Sequence, residues 1–353
     1  MGRMRTAQHL GLAERLRAAT TAELDREALA QTVYAAVARH VPFDFACFAT
    51  TDPTSGMVTW ASKTRSLGVG DEEFAAVEYG PPDVNRFAEI ARREIPVGVL
   101  SVDTDGDLDR CRRHRDFNHP RFGFTDELRV AFRSRSTVWA ALALYRRAGD
   151  PPFTAVEGRQ LGAVSGLVAE AVQRILFRRE VGSAAPVPSA DTDGPAVFIV
   201  DAEDRVTHLS PAARAAVEEL GGWDFGSLPA NVLAVVATTR TQGGFAESRT
   251  LGCSGRWWSL RGAPLDGAPG RSDVVVTVEP TPRATLSRLA LAAHGLTARE
   301  EEVAVLVLQG ANTRDIAASL HLSPHTVQDH LKTVFTKLGV TSRREMTARL
   351  VLD

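Results

Sequence analysis

The stretch Ser323-Pro-His-Thr-Val-Gln-Asp-His-Leu-Lys-Thr-Val-Phe-Thr-Lys-Leu-Gly339 decides how the chain is read. Val327, Leu331, Val334 and Leu338 recur at intervals of four, three and four, the repeat of a helix with one buried face. On the opposite side, His325, Gln328, Asp329 and Lys332 fall within roughly 100° of arc. A helix with a dry back and a front of donors and acceptors suits the major groove of DNA, where base edges display the complementary pattern.

The residues around that helix supply its boundaries. Thr297-Ala-Arg-Glu300 has the spacing of a capping box, in which each end residue satisfies a free N–H of the other. The helix it opens turns Val303, Leu306 and Val307 inward and stops at Gly310. Thr313 is expected to cap a short second helix with Ile316, Ala317 and Leu320 on its inner side. His321 and Leu322 make the turn, Ser323 caps the third helix, and Pro324 sits at its first position, where a missing N–H costs nothing. Gly339 ends that helix. Ser342-Arg-Arg-Glu345 reads as a second capping box, opening a fourth helix that runs to Leu352. Two helices joined by a tight turn, the second longer and polar in front, make a helix-turn-helix.

Leu296-Thr-Ala-Arg-Glu-Glu-Glu-Val303, Gly310-Ala-Asn-Thr-Arg-Asp-Ile-Ala317 and Ser323-Pro-His-Thr-Val-Gln-Asp-His330 resemble the LuxR-type helix-turn-helix of bacterial regulators, over 58 of the 353 residues. The resemblance implies that Thr313, Ser323 and Thr326 lie near phosphates. It also implies that Gln328, Asp329 and Lys332 face base edges and that the fourth helix pairs two subunits. The candidate DNA-contacting set is Thr313, Ser323, His325, Thr326, Gln328, Asp329, Lys332 and Lys337. Gln328 departs from the family, which usually has lysine there. A glutamine suits the N6/N7 edge of adenine. Asp329 would be repelled by phosphates unless it accepts from cytosine N4 or pairs with Lys332.

The net charge of −2 does not advertise nucleic acid, so a DNA-binding field has to be local. Between Thr313 and Arg349 there are six basic residues against three acidic ones, a local +3. An apolar share of 44% and a charged share of 24% are ordinary for a globular chain. Cys47, Cys111 and Cys253 lie far apart, which gives no disulfide or zinc framework and fits a reducing, cytoplasmic setting. No apolar run reaches the roughly 18 residues a membrane span needs. The opening Met1-Gly-Arg-Met-Arg-Thr6 formally fits a myristoylation pattern. Only three of the 41 basic residues are lysine, however, a bias of GC-rich bacterial genomes in which that modification is not expected.

Upstream, residues 182–194 are rich in Pro, Ala and Ser without periodicity and read as a linker. Residues 1–181 alternate a helix (23–40), a hairpin (43–51 and 57–63), helical stretches (72–78 and 83–93), a second hairpin (127–132 and 136–145) and a long closing helix (154–179). This is an antiparallel sheet with helices to one side, and it resembles a GAF domain, with Pro152-Phe-Thr154 the most familiar local feature. Residues 195–285 begin with a strand, a turn at 201–204, a strand and a Ser210-capped helix with Pro211 at its first position. A helix over 231–240 and strands at 245–251, 256–260 and 273–279 follow, a plan similar to a PAS domain. A phosphoacceptor receiver is excluded, because neither the distal Asp strand nor any lysine is present in this segment. The expected fold is thus multidomain α+β. Two antiparallel-sheet, sensory-type domains precede an all-α, four-helix helix-turn-helix domain at residues 290–353.

Ligand signatures are sparse. Phe43, Phe45, Cys47, Phe48 and Trp60 could line a cavity, or simply pack the hairpin. Cys111, His114 and His119 could form a metal or haem loop, but the arginines among them repel a cation, so an exposed basic loop is the preferred reading. Trp257 and Trp258 are adjacent on a strand and face opposite sides, with at least one expected in the core. No cofactor or metal is expected. Phosphate-loop, dinucleotide-binding, zinc-protease and nucleophile-elbow motifs are all missing, so the chain does not read as an enzyme. A homodimeric, DNA-binding regulator that takes a small-molecule or other signal upstream is the expected function. A dimerisation scaffold and a sigma-factor-like protein are the alternatives.

Overall fold

The computed structural model describes residues 11–20, 24–177, 194–224, 226–265 and 273–350. Most of residues 182–194 lies outside them. The described chain forms two compact units, one carrying two antiparallel sheets and one made of helices from residue 281 onward.

In the first unit, α1 (Leu12–Thr20) and α2 (Arg26–Ala38) lead into β1 (Phe45–Thr51) and β2 (Val58–Lys63). Asp25 caps α2 by accepting the Ala28 N–H at 2.7 Å. Helix α3 (Glu72–Tyr79), a short edge strand β3 (Val97–Val99) and the hairpin β4 (Phe124–Ser134) and β5 (Thr137–Arg147) follow. Helices α4 (Ala155–Gly162) and α5 (Ser165–Leu176) close the subdomain. The strand order is β2-β1-β5-β4-β3, every neighbour antiparallel. Alternation along the strands gives the sheet two characters. Phe48, Leu142 and Leu144 belong to one face, and α5 lies across β4 and β5. Directly opposed residues on the other face form the row Ala61, Ala49, Ala141 and the row Lys63, Cys47, Ala143, Arg129.

Three expectations are corrected here. The closing helix is broken between Gly162 and Ser165. A Cβ on Gly162 would fall 2.5 Å from Ile95 Cγ2, so the glycine lets the helix approach the segment before β3. Past the break, the Ser165 hydroxyl donates to Ala131 O and accepts from the Arg133 N–H, both at 2.9 Å. The helix expected over 83–93 shrinks to one turn at Phe87–Ile90. The loop expected to be basic and exposed is instead a π-helical turn, Arg113–Asn118, that buries Arg113, His114 and Asn118. Local sequence showed only the arginines, not the carboxylates that receive them. Arg113 contacts Glu127 at 2.5 Å and Asp83 at 3.6 Å, and Arg129 contacts Glu78 at 2.7 Å and Glu127 at 3.2 Å.

The second sheet comprises β6 (Ala196–Val200), β7 (Val206–Leu209), β8 (Ala246–Leu251), β9 (Trp257–Pro264) and β10 (Val274–Pro280), in the order β7-β6-β10-β9-β8. Its helices are α6 (Pro211–Glu219), capped by Ser210 as expected, and α7 (Ala230–Gln242). Helix α7 is buried almost all round, from Asn231 through Val236 and again at Thr238 and Thr239. Such a helix needs a neighbour on every side. Met57, just before β2, and Ala75 of α3 join the core that α7 shares with Phe198, Leu260 and Val276. The Asn231 amide donates to Thr59 O at 3.1 Å and to Leu220 O at 3.0 Å, and the Thr250 hydroxyl donates to Thr59 O at 2.9 Å. Trp257 and Trp258 are both only half-buried, against expectation; Trp258 packs on the margin of this core.

Two predictions follow from these contacts. Replacing the buried Asn231 by alanine strands the Leu220 carbonyl and is expected to lower unfolding stability by about 1–3 kcal/mol in urea titrations. For Glu127, burial pushes the carboxyl up, but Arg113 and Arg129 outweigh it and pull it from 4.5 down to about 2. Its contribution is therefore complete above pH 4.5 and lost as pH falls toward 2. Glu127→Gln should cost about 3–5 kcal/mol at neutral pH, where it leaves Arg113 short of its partner. The difference from wild type should narrow through that acid window; a gap constant with pH would contradict the assignment.

Candidate nucleic-acid interface

The second unit contains α8 (Arg283–Ala293), α9 (Ala298–Leu308), α10 (Thr313–Ser319), α11 (Pro324–Leu338) and α12 (Arg343–Leu350). Four of these answer to the expected helices; α8 is an addition, and it lacks a side-chain cap that would have marked it in the sequence. Its Leu291 enters the core, and the Ser287 hydroxyl donates to Leu350 O at 2.7 Å, tying α8 to α12.

Helix boundaries are set by caps. Thr297 and Glu300 form the full capping box. Gly310 and Gly339 adopt left-handed φ of 87° and 64°, conformations that close helices cheaply only at glycine. The cap of α10 is Asn312 rather than Thr313: its Oδ1 accepts the N–H groups of Arg314 at 2.9 Å and Asp315 at 3.1 Å. Asparagine fills the same role as threonine with better reach. Ser323 caps α11, accepting the Thr326 N–H at 3.1 Å. At α12 only half the expected box forms. Ser342 accepts the Glu345 N–H, but the Glu345 carboxylate turns to Thr341. Leu352 lies outside the described residues.

Val327, Leu331, Val334 and Leu338 are all buried, packed with Val303, Ala304, Val307 and Ile316. That packing sets the rotation of α11. His325, Gln328, Asp329 and Lys332 stand exposed on its front. Asp329 lies near His325, 3.9 Å away, rather than pairing with Lys332. Among the described residues, the Gln328 amide and the Lys332 ammonium make no intramolecular hydrogen bond. The Ser323 and Thr326 hydroxyls share a hydrogen bond of 2.8 Å at the N-terminus of α11, where free N–H groups and the helix dipole favour an anion.

Two members of the candidate set are placed differently. Lys337 reaches back to Glu300 at 2.5 Å, joining α11 to α9. Burial would raise the Glu300 carboxyl, but hydrogen bonds from Lys337 and from the Thr297 N–H outweigh it and hold it below the usual range. Thr313 is half-buried, and its hydroxyl accepts from Arg343 Nη2 at 2.9 Å while Nη1 of the same guanidinium reaches Ala311 O at 2.7 Å. Along the chain Arg343 stands out only as one of the local basic residues. Its structural use could not be read from spacing, because Ala311 and Thr313 lie about 30 residues away. Arg314, Lys332 and Arg344 are exposed cations of this unit.

Residues 294–350 match the luxR family of bacterial regulatory proteins. The spore germination protein GerE of Bacillus subtilis is 39% identical over 56 residues, which are 16% of this chain and 76% of GerE. An HTH-type transcriptional regulator of Mycobacterium bovis is 37% identical over 81 residues, 23% of this chain and only 9% of the relative's own length. Among solved structures, a Vibrio cholerae VqmA–ligand–DNA complex aligns over 46% of this chain and 83% of its own, at 18% identity and a TM-score of 0.23. A score that low carries no argument about the architecture.

The cap geometry separates two neighbouring substitutions. Asn312→Ala should destabilise this unit by about 1 kcal/mol through loss of the α10 cap. Thr313→Ala should leave the cap intact and loosen only the contact from Arg343. Thermal unfolding of the two variants side by side checks the order; a larger loss for Thr313→Ala would reverse the assignment.

Proposed function

The chain belongs to the luxR family of bacterial regulatory proteins, and from that premise we propose that it is a cytoplasmic, sequence-specific transcriptional regulator that reads operator DNA with α11. The observation that carries the reading is the exposed front of α11, where Gln328 and Lys332 have no partner within the described chain. Because the helix backbone is already fixed, only the side chains themselves are ordered when these groups meet base edges.

The roles divide by chemistry. Gln328 donates to and accepts from one base, adenine by preference, and Lys332 supplies a cation to a guanine edge or a phosphate. Asp329 accepts from cytosine N4, with His325 beside it at 3.9 Å. Ser323, Thr326 and the α11 N-terminus hold the backbone and set register. Thr313 and Lys337 act by position, through Arg343 and Glu300. One small module buries little DNA surface, so two copies on half-sites about 34–36 Å apart, paired through α12, supply the needed affinity. The two sheets of the first unit, with GAF-like and PAS-like strand plans, receive the signal or contribute to dimerisation.

Binding to genomic fragments selected with the full chain tests the proposal. Affinity should fall steeply with salt, as phosphate contacts release counterions. Gln328→Ala should change the preferred base at one operator position by about 1–3 kcal/mol while leaving affinity for random DNA nearly intact. Lys332→Ala should weaken binding and flatten the salt dependence by about one counterion if its contact is a phosphate. Salt-independent binding, or none, would favour a dimerisation scaffold.

A further inference from the structure

Helix α10 is 7 residues long, about two turns, and of its side chains only Ile316 and Ala317 are buried. Leu320 and Leu322, in the turn that follows, add partly buried contacts. A helix this short has little stability of its own and takes its orientation from whatever holds its ends. That orientation matters for α11, because only Leu320, His321 and Leu322 separate α10 from the Ser323 cap.

The turn does not hold itself. His321 takes a left-handed φ of 52°, a conformation that a residue with a Cβ resists. A continuing helix would give the Leu320 carbonyl a donor four residues on, but that residue is Pro324, which has no N–H. Arg299 of α9 supplies the donor instead. Its Nη2 donates to Leu320 O, 21 residues away along the chain, while Nη1 pairs with Glu302 at 2.6 Å. The planar guanidinium therefore has one arm on its own helix and the other on the turn. At the opposite end of α10, Arg343 of α12 donates to Ala311 O at 2.7 Å and to Thr313 Oγ1 at 2.9 Å. Two guanidinium groups from two different helices thus hold α10 by its ends.

The two arms of Arg299 are unequal. Its pair with Glu302 is open to water, with side chains 37% and 52% exposed, and ion pairs of that kind contribute little. A charged donor on a carbonyl that lacks a helical partner is worth more. The Leu320 contact is therefore the one whose loss is felt, and it bears on the turn rather than on α9.

We propose, on the reading of α11 as the DNA-contacting helix, that Arg299 is a positioning residue for it: by holding the Leu320 carbonyl it sets where Ser323, His325 and Gln328 meet the groove. Contacts to base edges need fixed geometry, whereas attraction to phosphates tolerates displacement. Loss of Arg299 therefore costs discrimination between sequences more than it costs general affinity for DNA.

The test uses the full chain and compares a fragment selected by the wild-type protein with random DNA of equal length. Arg299→Ala should lower the preference for the selected fragment by about tenfold, the scale of one hydrogen bond from a charged donor, and leave its salt dependence unchanged. Arg314→Ala, which removes an exposed cation from α10 itself, should weaken binding to both DNAs alike. Arg299→Lys keeps the charge but not the fork and should lower the preference in the same direction; it stands in for Arg299→Ala should that variant unfold by circular dichroism. Without DNA, amide hydrogen exchange should quicken between Leu320 and Val327 in the Arg299 variants and stay unchanged across α12. An unchanged preference in a folded Arg299 variant, equal weakening on both DNAs, or unaltered exchange at the turn overturns the proposal. Any of these with an intact wild-type preference removes the role of Arg299 alone. Absence of any preference in the wild-type protein removes the regulator reading, and this role with it.

Discussion

The rotation of α11 about its own axis is the constraint on which the rest of the second unit depends. Four aliphatic side chains, Val327, Leu331, Val334 and Leu338, are buried in one core with α9 and α10, and the half-buried Phe335 packs beside them. Once they are in place, Gln328 and Lys332 have nowhere to point but outward. Caps then fix the helix along its axis: Ser323 at the front, Gly339 at the back, and the Lys337–Glu300 pair across to α9. A reading surface built this way is preorganised, because hydrophobic packing rather than the DNA orders it.

The first unit is organised by a different device. Helix α7 has no polar face to give to water, so it is sandwiched, and the elements that cover it come from both sheets. Asn231 adds direction to that burial, since its amide must find carbonyls, and the ones it finds belong to Thr59 and Leu220. Two strand plans that look like separate domains along the chain thereby share one core. Met57, just before β2, and Ala75 of α3 pack directly into the core of the second sheet.

Burial of charge in the same unit runs against the usual economy of cores. Arg113, Arg129, Glu78 and Glu127 are largely withdrawn from solvent and offset one another in a network of ion pairs. Well-packed apolar residues would ordinarily be as stable or more so.

Much of this protein was legible along the chain wherever the determining interaction is local. The spacing of Val327 to Leu338, the Thr297–Glu300 box, the Ser210 and Ser323 caps, and the strand alternation of both sheets depend on residues a few positions apart. The exposed front of α11 was legible for the same reason. What only the tertiary structure decided rests on partners far away in sequence. The arginine-rich turn at Arg113–Asn118 is buried because Asp83 and Glu127 wait for it, and the closing helix breaks because Ser165 bonds to β4. Arg343 and Lys337 find Ala311 O and Glu300, partners that lie far from them along the chain. A side chain's period along a helix or strand says which way it points, whereas its partner is set by packing between elements that the local sequence does not encode.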